Sequence, residues 1–467
     1  MTLDIAVVIL YAIAMLALGA WGMRRARSRE DYLVAGRRLG PWLYFGTLSA
    51  TVLGGAATIG TVRLGYQFGI SGFWLCAALG LGIIGMSLLL AKPLLELRIY
   101  TVTQVLERRY NPAARHASAL IMLVYALMIG STSTIAIGTT LHVLFGIPGW
   151  AAVLLGGGTV VVYATIGGMW SLTLTDIVQF VIMTVGFAGI LLPLALADVG
   201  GWSALLERMP EQHLSFSGVG GDTILTWFLI YFFGIFIGQD IWQRVFTART
   251  GGIARVAGTA AGLYCIAWGL VGAVIGMCAL VLLPPQGTPA DGAFAAIVQH
   301  SLPPGLRGLV TAAALAALMS TSSAGLLAAS TTVAQDLLPW LRGKDNDNGS
   351  DAHTNRIATL AMGVVVLAIA LVVNDVVGAL TLAYNLLVGG MLVPLIGAVY
   401  WRRASTTGAI GSMALGSLVA AGTMVSDGLL ANTPIYYSLA IGTVSFVVLS
   451  LMRPDPAVPP LGDASAR

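Results

Sequence analysis

The residues with the clearest capacity for chemistry are four consecutive hydroxyl side chains in an apolar stretch from about residue 307 to residue 337: Ser320, Thr321, Ser322 and Ser323. On a helix, positions 317, 320 and 321 share one face because they lie three and four residues apart. The carbonyl oxygen of Ala317 and the hydroxyl oxygens of Ser320 and Thr321 therefore converge. Three neutral oxygens suit a hard monovalent cation that has shed its water. Ser322 lies about 100 degrees around the helix from Thr321 and points away. The alternative is that the hydroxyls bond back to carbonyls one turn earlier.

The composition indicates a polytopic membrane protein. The chain has 467 residues, of which 57% are hydrophobic and only 9% charged, whereas soluble domains carry about a quarter charged residues. Apolar runs long enough to cross a bilayer recur from end to end. Cys76, Cys265 and Cys278 fall in apolar segments, which predicts buried thiols without disulfides. No clustered His, Cys or carboxylate set indicates an enzyme, and the modest positive charge does not indicate nucleic-acid binding.

The apolar pattern predicts an all-α integral membrane protein with thirteen spans. Their predicted bounds are about 3–23, 42–63, 71–95, 117–142, 148–166, 172–197, 222–246, 254–284, 306–337, 354–374, 377–401, 406–425 and 433–452. With the N-terminus outside and the C-terminus inside, only Arg63, Arg208 and Arg307 of the 24 Lys and Arg residues fall outside. This bias is the one expected for a plasma-membrane protein in that orientation, and it supports an odd number of spans.

Two spans carry signals of an interrupted helix. The second contains the adjacent pair Gly54-Gly55, and the seventh contains Gly234 and Gly238. Glycine weakens a helix, and a break in a membrane helix is tolerated where it lines a cavity, although close helix packing also uses small residues. Interrupted spans at matching places in two halves are typical of inverted-repeat transporters. The predicted division is residues 1–41, a first repeat at 42–221, a second at 222–403, and two final helices with a short cytoplasmic tail at 404–467.

Few charged residues lie at membrane depth. Asp176, near the inner end of the sixth span, either serves function or caps its helix. Asp240 precedes Arg244 by four residues, which predicts a helix-surface ion pair between them. Asp176 is then the only deep carboxylate, and no buried Arg or Lys indicates an acidic solute. The hydroxyl run from Ser131 to Thr134 either lines a polar cavity or allows close packing.

Three motifs together resemble the sodium:solute symporter family. They are Ala316-Ala317-Leu318-Met319-Ser320-Thr321 followed by Asp336, the segment Gly167-Gly168 to Thr175-Asp176 with Gln179, and Gly238-Gln239 with Arg244. The resemblance covers nearly the whole chain. It implies the LeuT-like fold of inverted five-helix repeats with added outer helices, and alternating access driven by sodium.

The resemblance also implies a sodium site between the second and ninth spans. Its ligands would be the carbonyl oxygens of Ala50, Leu53 and Ala317 and the hydroxyl oxygens of Ser320 and Thr321. A shifted register would replace the first two by Val52 and Gly55. Some members bind a second sodium through the equivalents of Asp176 and Ser323, but Ala324 stands here where that pattern has another serine.

The sequence therefore predicts a sodium-coupled symporter that binds Na⁺ and a small organic solute in the lipid bilayer. Phe232 and Phe236 are candidates for contacting the solute, or are ordinary core aromatics. The alternatives are a proton-coupled symporter of the same fold and a membrane solute sensor. Solute identity and oligomeric state stay open.

Overall fold

A computed structural model describes residues 2–283, 289–343, 351–373 and 376–455. Within these ranges the chain is helical, and the only β pairing is an isolated bridge between Leu39 and Ala248. The predicted all-α class is therefore confirmed. The cytoplasmic tail predicted at the C-terminus lies mostly beyond residue 455, outside the described residues.

The first half of the chain forms twelve α-helices. They are α1 Thr2–Met23, α2 Arg29–Val34, α3 Pro41–Val52, α4 Thr61–Phe68, α5 Trp74–Leu89, α6 Ala91–Glu96, α7 Thr103–Arg109, α8 Pro112–Phe145, α9 Gly149–Thr184, α10 Leu192–Val199, α11 Trp202–Arg208 and α12 Glu211–Leu214. Short π-helical segments, Ala56–Gly60 and Val185–Leu191, lead into α4 and α10.

The second half contributes eleven more. They are α13 Gly221–Trp227, α14 Phe233–Ile235, α15 Gln239–Val245, α16 Gly251–Leu282, α17 Ala293–Ser301, α18 Leu306–Thr332, α19 Leu338–Leu341, α20 Ala352–Val372, α21 Val376–Tyr400, α22 Thr406–Asp427 and α23 Thr433–Met452. π-Helical segments Phe228–Phe232 and Val333–Leu337 continue α13 and α18.

The described residues contain ten helical stretches long and apolar enough to cross a membrane, or eleven if a bent pair is counted as one span. The protein is thus an integral membrane protein. The predicted number of thirteen differs because two stretches are longer than one span. Ala56–Leu89 has 34 residues, and Gly149–Val199 has 51 residues with left-handed backbone at Gly168.

Both predicted helix breaks are confirmed. The helix α3 ends at Val52, and helical structure resumes beyond the non-helical residues Leu53 and Gly54. In the seventh predicted span, Gly221–Ile235 and Gln239–Val245 meet at an angle of 47°. Gly238, at the start of α15, has an extended ψ of 121° that ends the preceding helix. The sequence signal was correct because glycine has the lowest helix propensity apart from proline.

The helix α18 is the centre of the bundle. Every residue from Val310 to Ser320 is buried, and α8, α9, α20 and α1 pack around it. Close approach requires small residues: a Cβ on Gly325 would lie 2.5 Å from the backbone nitrogen of Gly130 in α8. By contrast, α1, α22 and α23 expose large apolar side chains. These helices form the surface that a bilayer would cover.

Candidate functional site

The hydroxyl face of α18 lies against the break that follows α3. The Thr321 hydroxyl donates a hydrogen bond of 2.7 Å to the Thr51 carbonyl oxygen, and it lies 3.5 Å from the Ala317 carbonyl oxygen. A Cβ on Gly54 would lie 2.5 Å from the Thr321 hydroxyl oxygen, so only glycine permits this approach. The two segments from which the predicted sodium ligands come are therefore in contact.

The hydroxyl protons on this face already have acceptors. Ser320 donates to a carboxylate oxygen of Asp176 at 2.6 Å, and Thr321 donates to Thr51 as described. A hydroxyl oxygen that donates its proton still has two lone pairs. Ser320 and Thr321 can therefore offer oxygen lone pairs to a cation without losing these hydrogen bonds.

The two neighbouring serines have different partners. The Ser322 hydroxyl lies 2.8 Å from the Thr134 hydroxyl of α8, away from the break. The Ser323 hydroxyl donates back to the Ser320 carbonyl at 2.8 Å. Ser323 thus follows the alternative of local backbone bonding, and Thr321 has a long local contact of 3.5 Å to the Ala317 carbonyl. The short bonds of Ser320, Thr321 and Ser322 are to other segments.

The carbonyl oxygens around the break after α3 differ in their hydrogen-bond partners. Ala50 belongs to the last turn of α3, where carbonyl groups have no partner within the helix. The Leu53 carbonyl accepts a hydrogen bond of 2.8 Å from the Thr58 hydroxyl. The carbonyl in direct contact with α18 is that of Thr51, which neither predicted register included. The signal that could have indicated the Thr51 carbonyl is its place three residues before Gly54, the glycine that lets this segment approach α18 closely.

Asp176 is fully buried and has three donors. They are the hydroxyls of Thr47 and Ser320 and the guanidinium group of Arg244, at 3.3 Å. The predicted pairing of Asp240 with Arg244 was wrong, because α15 is buried and its arginine reaches the neighbouring helix α9. The prediction of no buried basic residue was wrong for the same reason: the Arg244 side chain is 0% exposed.

A small cavity of about 40 Å³ lies between the two helix breaks. Thr51 and Gly54 line it from the first break, Tyr231 and Asp240 from the second, and Thr132 from α8. Asp240 is 3% exposed and accepts a hydrogen bond of 3.0 Å from the Tyr125 hydroxyl. Asp176 is therefore not the only deep carboxylate.

A larger cavity of about 350 Å³ adjoins the small one, since Gly55 and Ala56 line both. It leads to the end of the bundle where Arg63 and Asp291 form an ion pair of 2.6 Å. Its volume is within the range of sites for small molecules.

A second group of polar contacts links the segments around Asp336 and Gln239. Asp336, at the end of α18, accepts from Arg115 at 2.8 Å, from Thr103 at 2.8 Å and from Thr101 at 3.1 Å. The Gln239 side chain of α15 links to the same loop, donating to the Tyr100 carbonyl at 2.8 Å and accepting from the Val102 amide at 2.9 Å.

Phe232 and Phe236, the candidates for contacting the solute, lie away from the small cavity. The Phe232 and Phe236 rings pack against each other with centroids 5.3 Å apart and an interplanar angle of 40°, and both rings approach Gly85 of α5. Neither is among the described residues that line the small cavity. Tyr231 and Tyr384 line it instead. Sequence reasoning missed these tyrosines because periodicity alone does not distinguish adjacent aromatic residues on a broken helix.

Comparisons with known proteins agree with this architecture. Sodium/proline symporters of Staphylococcus aureus, for example in strains JH9 and NCTC 8325, are 26% identical over 439 residues, covering 88% of this chain and 83% of theirs. A substrate-bound, outward-open Na⁺-coupled sialic acid symporter superposes with a TM-score of 0.85 at 17% identity, over 98% of this chain and 99% of its own. Mhp1, a nucleobase-cation-symport-1 family transporter, gives 0.59 at 16% identity, over 93% and 97%.

The likenesses to the sialic acid symporter and to Mhp1 concern the fold alone. The profile of the sodium:solute symporter family, however, matches residues 32–416, which is most of the chain. The chain belongs to the sodium:solute symporter family, whose members are transporters rather than enzymes.

Proposed function

We propose that this protein is a sodium-coupled symporter that imports a small organic solute by alternating access. The observation that carries the proposal is the contact between α18 and the break after α3, where Thr321 bonds to the Thr51 carbonyl at 2.7 Å. A broken helix beside hydroxyl groups is a setting in which membrane transporters coordinate sodium.

The proposed sodium ligands are those implied by the family resemblance: Ala50, Leu53, Ala317, Ser320 and Thr321. The contact at Thr51 supports this region of α3 and the break. The hydroxyl oxygens of Ser320 and Thr321 have lone pairs available, because their protons are donated to Asp176 and to the Thr51 carbonyl. A site of neutral oxygens of this kind favours sodium over a proton, which needs a titratable group.

We further propose one sodium ion per cycle. A second ion would use Asp176 and Ser323, but the Asp176 carboxylate already has the guanidinium of Arg244 as a buried cationic partner. Placing a sodium ion there would bring two positive charges together in a medium of low dielectric constant. The Ser323 hydroxyl also points back to its own helix.

The proposed topology is thirteen spans, with the N-terminus outside and the C-terminus inside the plasma membrane. A helix of 51 residues is roughly 75 Å long, more than twice the bilayer core, so Gly149–Val199 supplies two spans that meet at Gly168. Ala56–Leu89 likewise supplies the end of the second span and the whole third. With the bent seventh span, these divisions raise the count from ten to thirteen.

In this topology the larger cavity opens outside and the Asp336 contacts close the inside. The two repeats would be residues 42–221 and 222–403, each beginning with a broken helix. Transport then requires the Asp336 and Gln239 contacts to open while the outer cavity closes.

The test is a comparison of sodium with potassium. Purified protein is titrated with NaCl or KCl at constant ionic strength and its unfolding temperature is measured. Proteoliposomes are then assayed for uptake of L-proline, the solute named for the S. aureus relatives, with each salt. Sodium-specific stabilisation is expected, since an ion at about a hundred times its dissociation constant stabilises by roughly 2.7 kcal/mol. Equal stabilisation by both salts, or stabilisation that follows pH alone, would refute sodium coupling.

A further inference from the structure

The small cavity between the two helix breaks has a distinct chemical character. Its acidic group is Asp240, and none of the described residues that line it is basic. Within the described part of the chain, the only hydrogen-bond partner of the Asp240 carboxylate on another helix is the neutral hydroxyl of Tyr125, at 3.0 Å. Arg244, four residues away, is bonded to Asp176. A buried carboxylate that has no cation in hydrogen-bond contact is costly, and a bound cation would reduce that cost.

Aromatic rings share the cavity with this carboxylate. The Tyr231 and Tyr384 rings, which line the cavity, meet edge to face with centroids 5.2 Å apart. The Tyr125 ring meets that of Tyr384 in the same way at 5.3 Å. Tyrosine rings attract ammonium groups through their negative faces, and several rings beside one carboxylate form a site typical of amine ligands.

Two further polar groups in the cavity have no partner among the described residues. They are the buried hydroxyls of Thr51 and Thr132, and both residues line the cavity. Thr51 is 0% and Thr132 2% exposed. Buried polar groups are normally satisfied, so these hydroxyls indicate that a polar ligand belongs there.

We propose that Asp240, with the rings of Tyr231 and Tyr384, binds a cationic nitrogen of the transported solute. The solute is then a small molecule with a protonated or quaternary amine. The cavity of about 40 Å³ holds the ammonium group, and the adjoining cavity of about 350 Å³ holds the rest of the molecule. This inference rests on the proposed symport function and specifies its substrate class.

The test compares amine-bearing compounds with isosteres that lack the cationic nitrogen. The purified full chain, in sodium and in potassium, is mixed with choline or 3,3-dimethylbutan-1-ol, and with L-proline or tetrahydrofuran-2-carboxylate. D-Glucose and N-acetylneuraminate are amine-free comparators. The unfolding temperature is recorded for each. We expect at least one amine to stabilise the protein in sodium and its isostere to have no effect.

Asp240→Asn should raise the dissociation constant of that amine roughly tenfold or more, because the ligand charge loses its partner. Sodium should still stabilise the Asp240→Asn variant. Asp427→Asn is the matched control, since it removes the same charge from an exposed residue at the end of α22. It should leave both responses unchanged.

A second measurement does not depend on knowing the solute or on folding of the Asp240 variant. Thr132→Cys is labelled with cationic and with neutral methanethiosulfonates; the native cysteines are buried, which limits background. The Asp240 charge should make the cationic reagent react roughly tenfold faster.

Several results would overturn the assignment: no amine stabilising the protein, only an amine-free compound doing so, an unchanged amine affinity in Asp240→Asn, or equal labelling by both reagents. Loss of the sodium response in Asp240→Asn would place Asp240 at the ion site instead. Absence of any sodium response in the unmodified protein is a separate outcome, because it refutes the proposed symport itself.

Discussion

Removing the Thr321 hydroxyl is the most direct perturbation of the proposed sodium site. Thr321→Ala deletes one proposed ligand oxygen and the hydrogen bond of 2.7 Å to the Thr51 carbonyl. Interactions with a charged group are worth about 1.5–3 kcal/mol, so the lower end corresponds to a roughly tenfold weaker site. At a sodium concentration of about a hundred times the original dissociation constant, the sodium-dependent stabilisation should fall from roughly 2.7 to roughly 1.4 kcal/mol.

The same substitution should also lower stability without sodium, by about 1 kcal/mol for the lost hydrogen bond. Ser322→Ala separates the two effects. Its hydroxyl has one bond of 2.8 Å to Thr134 on the side facing α8. Both variants therefore lose one short hydrogen bond between α18 and a neighbouring segment, but only Thr321→Ala loses a proposed ligand.

The assay is a sodium titration of the unfolding temperature, followed by the sodium dependence of solute uptake. The midpoint for Thr321→Ala should move to about tenfold higher sodium, and uptake should recover in part when sodium is raised. Ser322→Ala should keep the original midpoint. An unchanged midpoint in Thr321→Ala, or an equal shift in Ser322→Ala, would show that the hydroxyls of α18 serve packing and that the ion binds elsewhere.

Three further outcomes are expected. Gly54→Ala places a Cβ 2.5 Å from the Thr321 hydroxyl oxygen, so it should lower the free energy of unfolding by about 1–3 kcal/mol and weaken sodium binding. Gly422→Ala is the control in the same titration. Its Cβ would have nothing within 4 Å, so it should be neutral or mildly stabilising. Asp336→Asn should destabilise by about 1–3 kcal/mol and increase hydrogen exchange in α7, because the side chain loses its charge and one of the two oxygens that accept from its arginine and threonine partners. Unchanged exchange would contradict its proposed role in closure. A reporter fused after Arg467 should be cytoplasmic, and an extracellular signal would refute the span count.

The sequence predicted those features that depend on local chain chemistry. The break at Gly54 follows from the low helix propensity of glycine, and the face of α18 with Ala317 and Thr321 follows from helical spacing. The same spacing rule failed at Arg244, because the choice of partner depends on which helix lies beside α15. Its preference for Asp176 depends on packing between distant segments, which one sequence without an alignment does not contain.

The number of spans is a different kind of discrepancy. The length of the apolar segments predicts how often the chain can cross a bilayer. It does not predict where the helices end, because a helical stretch can change direction at a single residue without a loop. The left-handed backbone of Gly168, with φ of 53°, allows the chain to change direction within a continuous helical stretch. The predicted loop near residue 167 therefore has almost no length.

The two bonds of Gln239 have a kinetic consequence. One side-chain amide bonds to both the Tyr100 carbonyl and the Val102 amide, so α15 and this loop separate only after both bonds are broken. Each bond contributes little net free energy, because water replaces it after release. Before water enters, however, both bonds are already stretched, and this adds to the activation barrier. In the proposed alternating-access cycle, the contact therefore adds to the barrier for opening this end more than it stabilises the closed state at equilibrium.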